Sequence, residues 1–131
     1  MKFTLGKQER LKSRKLIKRL YEEGETVKNF PLRMMYLQTK HTSEFPTQVG
    51  VSVPKRNFKR AVDRNRIKRL MRESYRKNKY IVYDTVENPY VYMISYLAKE
   101  EWKYKSIEKK MRKLLTIFID EIKHKKNDKT S

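Results

Sequence analysis

The sequence predicts an α-β sandwich, of α+β or α/β type, folded as one domain over residues 1–131. Two observations carry this. Helical periodicity appears near both ends and in the middle of the chain, and short β-forming runs separate those segments. No internal repeat or linker interrupts the order.

Ser13 precedes RKLIKRLYEE and Gly24 follows it, the pattern of a helix with a side-chain N-cap and a glycine stop. Leu16, Ile17, Leu20 and Tyr21 recur at three- and four-residue spacing and define one face. Leu32 to Gln38 (LRMMYLQ) and Thr47 to Val53 (TQVGVSV) read as strands joined across the polar loop Thr39 to Pro46. Pro54-Lys55-Arg56 closes the second strand, and Asn57 is placed to cap a helix running to about Lys77. Tyr80 to Tyr83 either extends that helix or forms a separate turn. After the turn Glu87-Asn88-Pro89, Val91 to Leu97 (VYMISYL) reads as a third core strand. From Ser106 onward, Ile107, Met111, Leu114, Leu115, Phe118, Ile119 and Ile122 line one side of a long amphipathic helix. The tail KHKKNDKTS is expected to fray, and residues 1–6 and 124–131 to be flexible.

Composition narrows the function. Charged residues make up 37% of the chain and apolar ones 37%, against about 25% and about 45–50% in ordinary globular chains. Lys and Arg outnumber Asp and Glu by 34 to 15, a formal charge of +19, which implies a polyanionic partner. The chain has no cysteine, so disulfides, Cys-ligated zinc and thiol nucleophiles are excluded. No apolar run approaches the roughly 18 residues of a membrane span, and MKFTLGKQERLKSRK lacks the apolar centre of a signal peptide. A soluble, cytoplasmic protein without a membrane partner is the expectation.

The charge concentrates in Arg64-Asn65-Arg66-Ile67-Lys68-Arg69-Leu70-Met71-Arg72-Glu73-Ser74-Tyr75-Arg76. On an ideal helix Ile67, Leu70, Met71 and Ser74 form a continuous core-facing stripe, and Asn65, Lys68, Arg69, Arg72 and Arg76 lie nearly opposite. Arg64 and Arg66 fall roughly 200° apart and flank the stripe, leaving Asn65 at the centre of the cationic face. An exposed helix normally mixes signs to gain i,i+4 pairs, whereas Arg60, Arg64, Lys68, Arg72 and Arg76 repeat one sign with only Asp63 and Glu73 as relief. A phosphate backbone would relieve that repulsion. One Asn among cations suits backbone and shape recognition of a folded RNA better than base readout.

Nine Tyr and five Phe accompany this charge. Most, among them Tyr21, Phe30, Tyr36, Tyr92 and Tyr96, are expected in the core, while an open sheet face could offer a platform for unpaired bases. His41 and His124 are the only histidines and have no ligand-spaced acids around them, so no zinc site is predicted. Asp84 and Glu87 read as solvated turn residues. No nucleophile triad, paired-acid arrangement or Gly-rich phosphate loop emerges, so no catalytic residue is assigned. The residues alone describe an RNA binder, and a ribosomal or chaperone-type protein fits them too.

Gly50-Val51-Ser52-Val53-Pro54-Lys55-Arg56, then Asn57-Phe58-Lys59-Arg60-Ala61-Val62-Asp63 leading into Arg64-Asn65-Arg66-Ile67-Lys68-Arg69, resembles the bacterial ribonuclease P protein family and its RNR motif. Arg10-Leu11-Lys12 and the helix to Tyr21 and Gly24 resemble its N-terminal segment. The resemblance implies an α+β fold, a two-layer α-β sandwich whose small mixed sheet packs with helices. It also implies a left-handed βαβ crossover, against the usual handedness. It further implies the protein partner of a catalytic RNA, the two together hydrolysing one phosphodiester of precursor tRNA to release the 5′ leader. The chemistry would lie in the RNA, with Mg²⁺ bound mainly there; no metal-binding residue is assigned to this chain, and no small-molecule substrate is implied. RNA contacts carry over to Lys55, Arg56, Arg60, Arg64, Asn65, Arg66, Lys68, Arg69, Arg72 and Arg76. A leader-binding cleft carries over to Arg10, Ile17, Tyr21, Phe30 and Tyr36, with Ile17 standing where many members have Phe.

Overall fold

The computed structural model describes the backbone of residues 5–41 and 44–130, and side chains through Lys125. After a 3-10 turn at Lys7–Glu9 come α1 (Arg14–Glu23), β1 (Glu25–Asn29), β2 (Leu32–Gln38), β3 (Thr47–Ser52), α2 (Ala61–Asn78), α3 (Tyr80–Tyr83), β4 (Tyr90–Tyr96) and α4 (Tyr104–Thr130). The strands form one mixed sheet in the order β1-β2-β4-β3. β1 and β4 run antiparallel to β2, and β3 runs parallel to β4, so α2 and α3 lie within a βαβ crossover.

Local chemistry accounts for most boundaries. Ser13 Oγ accepts from the Leu16 amide at 3.2 Å, and the Gly24 amide donates to Leu20 O at 2.8 Å, closing α1 at both ends as expected. The strand β1 was not expected: in Glu-Thr-Val-Lys-Asn only Val27 is buried, so its apolar signal is one residue deep. The second helix begins at Ala61, not after Asn57. The Pro54 carbonyl collects the Asn57 and Phe58 amides at 3.2 and 3.4 Å in a turn that cannot run on into the helix. Asn57 is therefore no cap; its Nδ2 donates instead to Leu97 O at 3.5 Å. Tyr80–Tyr83 forms its own short helix. Beyond Ile122 the backbone is helical to Thr130; residues 1–4, 42–43 and 131 lie outside those described.

Strand alternation gives the sheet two unlike faces. One bears Leu32, Met34, Tyr36, Val49, Tyr92, Ile94 and Tyr96, and packs on Ile67, Met71 and Tyr75 of α2 and on Ile107, Met111, Leu114, Leu115 and Phe118 of α4. This is the main core. The opposite face is covered only in part, by Leu11 and by Leu16, Ile17 and Leu20 of α1, which meet Met35, Leu37, Val91 and Met93. On the same face Arg33, Ser95 and Ser52 lie in register outside that apolar cluster, with Ser95 buried.

A buried polar network fixes the N-terminal segment. Glu9 Oε2 accepts from Lys79 Nζ at 2.6 Å and from the Tyr83 hydroxyl at 2.5 Å, while Oε1 accepts from the Gly6 amide at 3.2 Å. The next residue, Arg10, bridges in parallel to Val49 on the outer edge of β3, and the Leu11 amide donates to Val49 O at 2.9 Å. Residues 9–11 are thereby held alongside β3.

Candidate nucleic-acid interface

The cations of α2 fall into two groups. Arg64 Nη1 donates to the carbonyls of Phe58 and Lys59 at 2.7 and 2.9 Å, so its guanidinium holds the turn that precedes the helix. Arg66 reaches Asp63 at 2.6 Å and Glu101 at 3.3 Å. Arg60 shares Asp63 at 3.6 Å, and Arg76 pairs with Glu73. Arg64 and Arg66 thus diverge to the two edges of a regular helix, as the projection predicts.

Lys68, Arg69 and Arg72 form the second group, at i+3, i+4 and i+7 from the exposed Asn65 on the same helix face. Among the described residues none of these three has an acidic partner. Arg72 borders a cleft of about 220 Å³ that is also lined by Arg10, Leu11, Lys12, Val49, Gly50 and Met93. Burial holds the Arg72 guanidinium below its ordinary pKa, and the charge of Arg10 adds to that depression. Both side chains are exposed, and an anion seated between or beside them would relieve what repulsion solvent and salt leave. The face of α2 and the N-terminal segment therefore make one continuous basic surface across the β3 edge. Lys12 is a member that the sequence reading missed. Lys55, Arg56 and Arg60, in the turn and at the helix start, are exposed.

The residues expected to line a leader cleft do not come together. Arg10 lines the cleft beside β3, and Ile17 packs under α1 against the open-face cluster. Tyr21 stands 51% exposed on α1. Tyr36 lies on the opposite face of the sheet, 3% exposed, edge-on to Phe118 at 4.9 Å and hydrogen-bonded to Glu121. Its strand parity is that of Leu32 and Met34, so it belongs to the main core and must leave the cleft set. Phe30 sits in the β1–β2 turn, 58% exposed, with its ring 6.0 Å from that of Trp102, away from α1. The side chains that do share the open face with Ile17 are Met35, Leu37 and Met93, apolar but not aromatic.

The close approach of Gly50 matters here. A Cβ at Gly50 would stand 2.8 Å from Met93 Cε and 3.8 Å from Leu11 Cβ, so a bare backbone gives Met93 its place on the cleft floor.

Among the described residues no three His, Asp or Glu side chains gather as metal ligands. Nor, among the same residues, is any helix long and apolar enough to cross a membrane. The described residues thus form a mixed four-stranded α+β domain with a cationic helix face, free of acidic partners at Lys68, Arg69 and Arg72, beside a cleft.

The chain belongs to the ribonuclease P protein family, whose model, described as Ribonuclease P, matches residues 5–118. The chain is similar to the ribonuclease P protein component of Porphyromonas gingivalis, 38% identical over 117 residues that cover 86% of this chain and 85% of that one. In fold it is similar to the RNase P protein of Staphylococcus aureus, with a TM-score of 0.67 at 23% identity, covering 83% of this chain and 94% of that one. The RNase P protein from Thermotoga maritima superposes at a TM-score of 0.66 and 21% identity, covering 82% and 94%. The α+β architecture and mixed sheet implied by the sequence resemblance are those found.

Proposed function

We propose that this chain is the protein subunit of ribonuclease P, an endoribonuclease ribonucleoprotein, and that it docks on the catalytic RNA through α2. The observation that carries the reading is the set Lys68, Arg69 and Arg72 around Asn65, cations the fold leaves without acids while it neutralises their neighbours. Arg forks and a Lys point charge suit phosphate oxygens, and Asn65 adds a neutral donor and acceptor without adding repulsion. The basic surface continues through Arg72, Arg10 and Lys12 to the open sheet face. There the 5′ leader of precursor tRNA would lie as a single strand, with Ile17 and Tyr21 beside it.

Hydrolysis of the leader phosphodiester is assigned to the RNA. Mg²⁺ is placed mainly with the RNA, and the chain's part is to bind and orient. Family membership favours this reading over a ribosomal or chaperone-type binder. The test is reconstitution: the chain added to the catalytic RNA at low Mg²⁺ should accelerate release of the leader from precursor tRNA. No acceleration would overturn the reading.

A further inference from the structure

Like α2, α4 carries cations on the side turned away from its core. Advanced at 100° per residue, Lys105, Lys109, Arg112, Lys113 and Lys123 fall within about 100° of one another, opposite Ile107, Met111, Leu114 and Phe118. All five are exposed, and Asp120 is the one acid among them. Glu108 engages Arg112 at 3.0 Å. Lys105, Lys109 and Lys113 stand at i, i+4 and i+8, and among the described residues none of the three has an acidic partner. An exposed helix is stabilised by opposite signs at that spacing, and this one repeats a single sign.

Two aromatic rings lie beside this lysine row. Phe30 in the β1–β2 turn is 58% exposed, and its ring meets that of the half-buried Trp102 at 6.0 Å and 70°. An edge-to-face contact occupies at most one face of either ring, so Phe30 keeps a face for another π-system. Asn29 Nδ2 donates to Lys110 O at 3.0 Å, which fastens the turn to α4. Lys110 is about 60° from Lys113 around the helix, so the rings and the lysines adjoin. An aromatic face for a base, next to ammonium groups for its phosphates, is the combination that holds an unpaired nucleotide. A second copy of the chain suits the patch less, because a symmetric contact would bring the lysines of α4 against themselves. Helices α2 and α4 pack on the same face of the sheet, so their outer sides point the same way, away from the face under α1. An RNA held by α2 therefore lies on the side that α4 presents.

We propose that Phe30 and Trp102, with Lys105, Lys109 and Lys113, form a second contact for the catalytic RNA, in which one unpaired base stacks on Phe30 and neighbouring phosphates lie along α4. Naming the catalytic RNA as the partner rests on the function proposed above. Trp102 is the only tryptophan, so its fluorescence reads this site alone. Binding of the wild-type chain to the catalytic RNA should shield Trp102 from quenching by acrylamide. Phe30→Ala should weaken binding of that RNA roughly tenfold, as loss of one stacked base would. Phe30→Leu, which keeps apolar bulk without a π-face, should lose nearly as much, and Phe30→Tyr little. Changing Lys105→Gln, Lys109→Gln and Lys113→Gln together should make the log–log salt dependence of binding shallower by about 2. The assembled holoenzyme's affinity for precursor tRNA should not change. Equal quenching of Trp102 with and without bound RNA would overturn the contact, even if Phe30→Ala fails to fold. Wild-type affinity in Phe30→Leu would overturn the stacking, and an unaltered salt dependence in the lysine variant would overturn the phosphate contacts. Shielding of Trp102 by raised protein concentration alone would assign the patch to a second copy and overturn the proposal. Failure of the wild-type chain to bind the catalytic RNA would instead overturn the functional reading itself.

Discussion

The Glu9 carboxylate and the Lys79 ammonium meet at 2.6 Å with each side chain only 3% exposed, joining the first turn of the chain to the α2–α3 junction. Two charges withdrawn from water in this way are stable only as a pair. Lys79→Met leaves the carboxylate buried with the Tyr83 hydroxyl and the Gly6 amide as donors. It should lower stability by about 3–5 kcal/mol, read from urea unfolding. Glu9→Gln combined with Lys79→Met should recover a large part. If the single and double variants unfold together with wild type, the pair does not hold the segment. Because Arg10 follows Glu9 directly, the single variant should also weaken RNA binding at temperatures where it remains folded.

The division of the α2 cations predicts unequal effects on RNA affinity. Arg69→Ala or Arg72→Ala should each weaken binding to the catalytic RNA by about 1–2 kcal/mol, through removal of one charge-assisted hydrogen bond. The log–log salt dependence should become shallower by about 0.7–0.9 for each phosphate no longer neutralised. Arg66→Ala should cost less, since its guanidinium is already engaged by Asp63 and Glu101. Titration at several salt concentrations decides; equal losses at all three positions would mean the internal pairs do not occupy Arg66.

The buried phenols set an alkaline limit. Burial is the first cause that raises the Tyr75 pKa, to about 12, and it also pushes Tyr83 and Tyr92 up. In the unfolded chain these groups lose their protons near pH 10, while in the folded one they keep them. Above about pH 10 the unfolded state therefore binds fewer protons, and stability falls as pH rises. Their contribution is fully present below that pH and declines by about 1.4 kcal/mol per pH unit per group until the folded value is reached. Urea midpoints should hold steady to about pH 10 and then drop, with late tyrosinate absorbance appearing together with unfolding. A midpoint that stays level beyond that pH would contradict the burial of these hydroxyls.

Gly24 ends α1 where a Cβ would come within 2.3 Å of the Leu20 carbonyl oxygen and 3.1 Å of that of Tyr36. Backbone on both sides cannot yield as a flexible side chain would, so Gly24→Ala should destabilise by about 1–3 kcal/mol in thermal or urea unfolding. Gly50→Ala meets the flexible end of Met93 and should cost less. The reverse order would indicate that α1 can shift on the sheet.

Much of α2 was legible in the sequence: 3.6-residue periodicity separated the core stripe from the cationic face, and the two edge arginines, without coordinates. The ends of α1 were legible for a similar reason, since Ser13 and Gly24 act locally. Pairing across the sheet was not. Both parities of LRMMYLQ carry apolar side chains, so alternation alone could not say that Tyr36 faces α4 and Met35 the cluster under α1. Only the partners decide, Phe118 and Glu121 on one side and the α1 cluster on the other. β1 escaped because its pairing is made by backbone and by one buried Val27. Asn57 misled because a good capping residue was placed after a proline whose carbonyl took up the local amides.

If the acid-free face of α2 is what the catalytic RNA holds, removing its three cations should abolish the protein's effect. The most direct test is precursor-tRNA cleavage by the catalytic RNA at low Mg²⁺, with wild-type chain compared against the triple variant Lys68→Ala, Arg69→Ala, Arg72→Ala. All three side chains project from α2 away from its core stripe, so the variant should unfold at the wild-type midpoint. Wild type should accelerate cleavage, and the folded triple variant at the same concentration should give little or no acceleration. Full acceleration by the triple variant would contradict the assignment of this face.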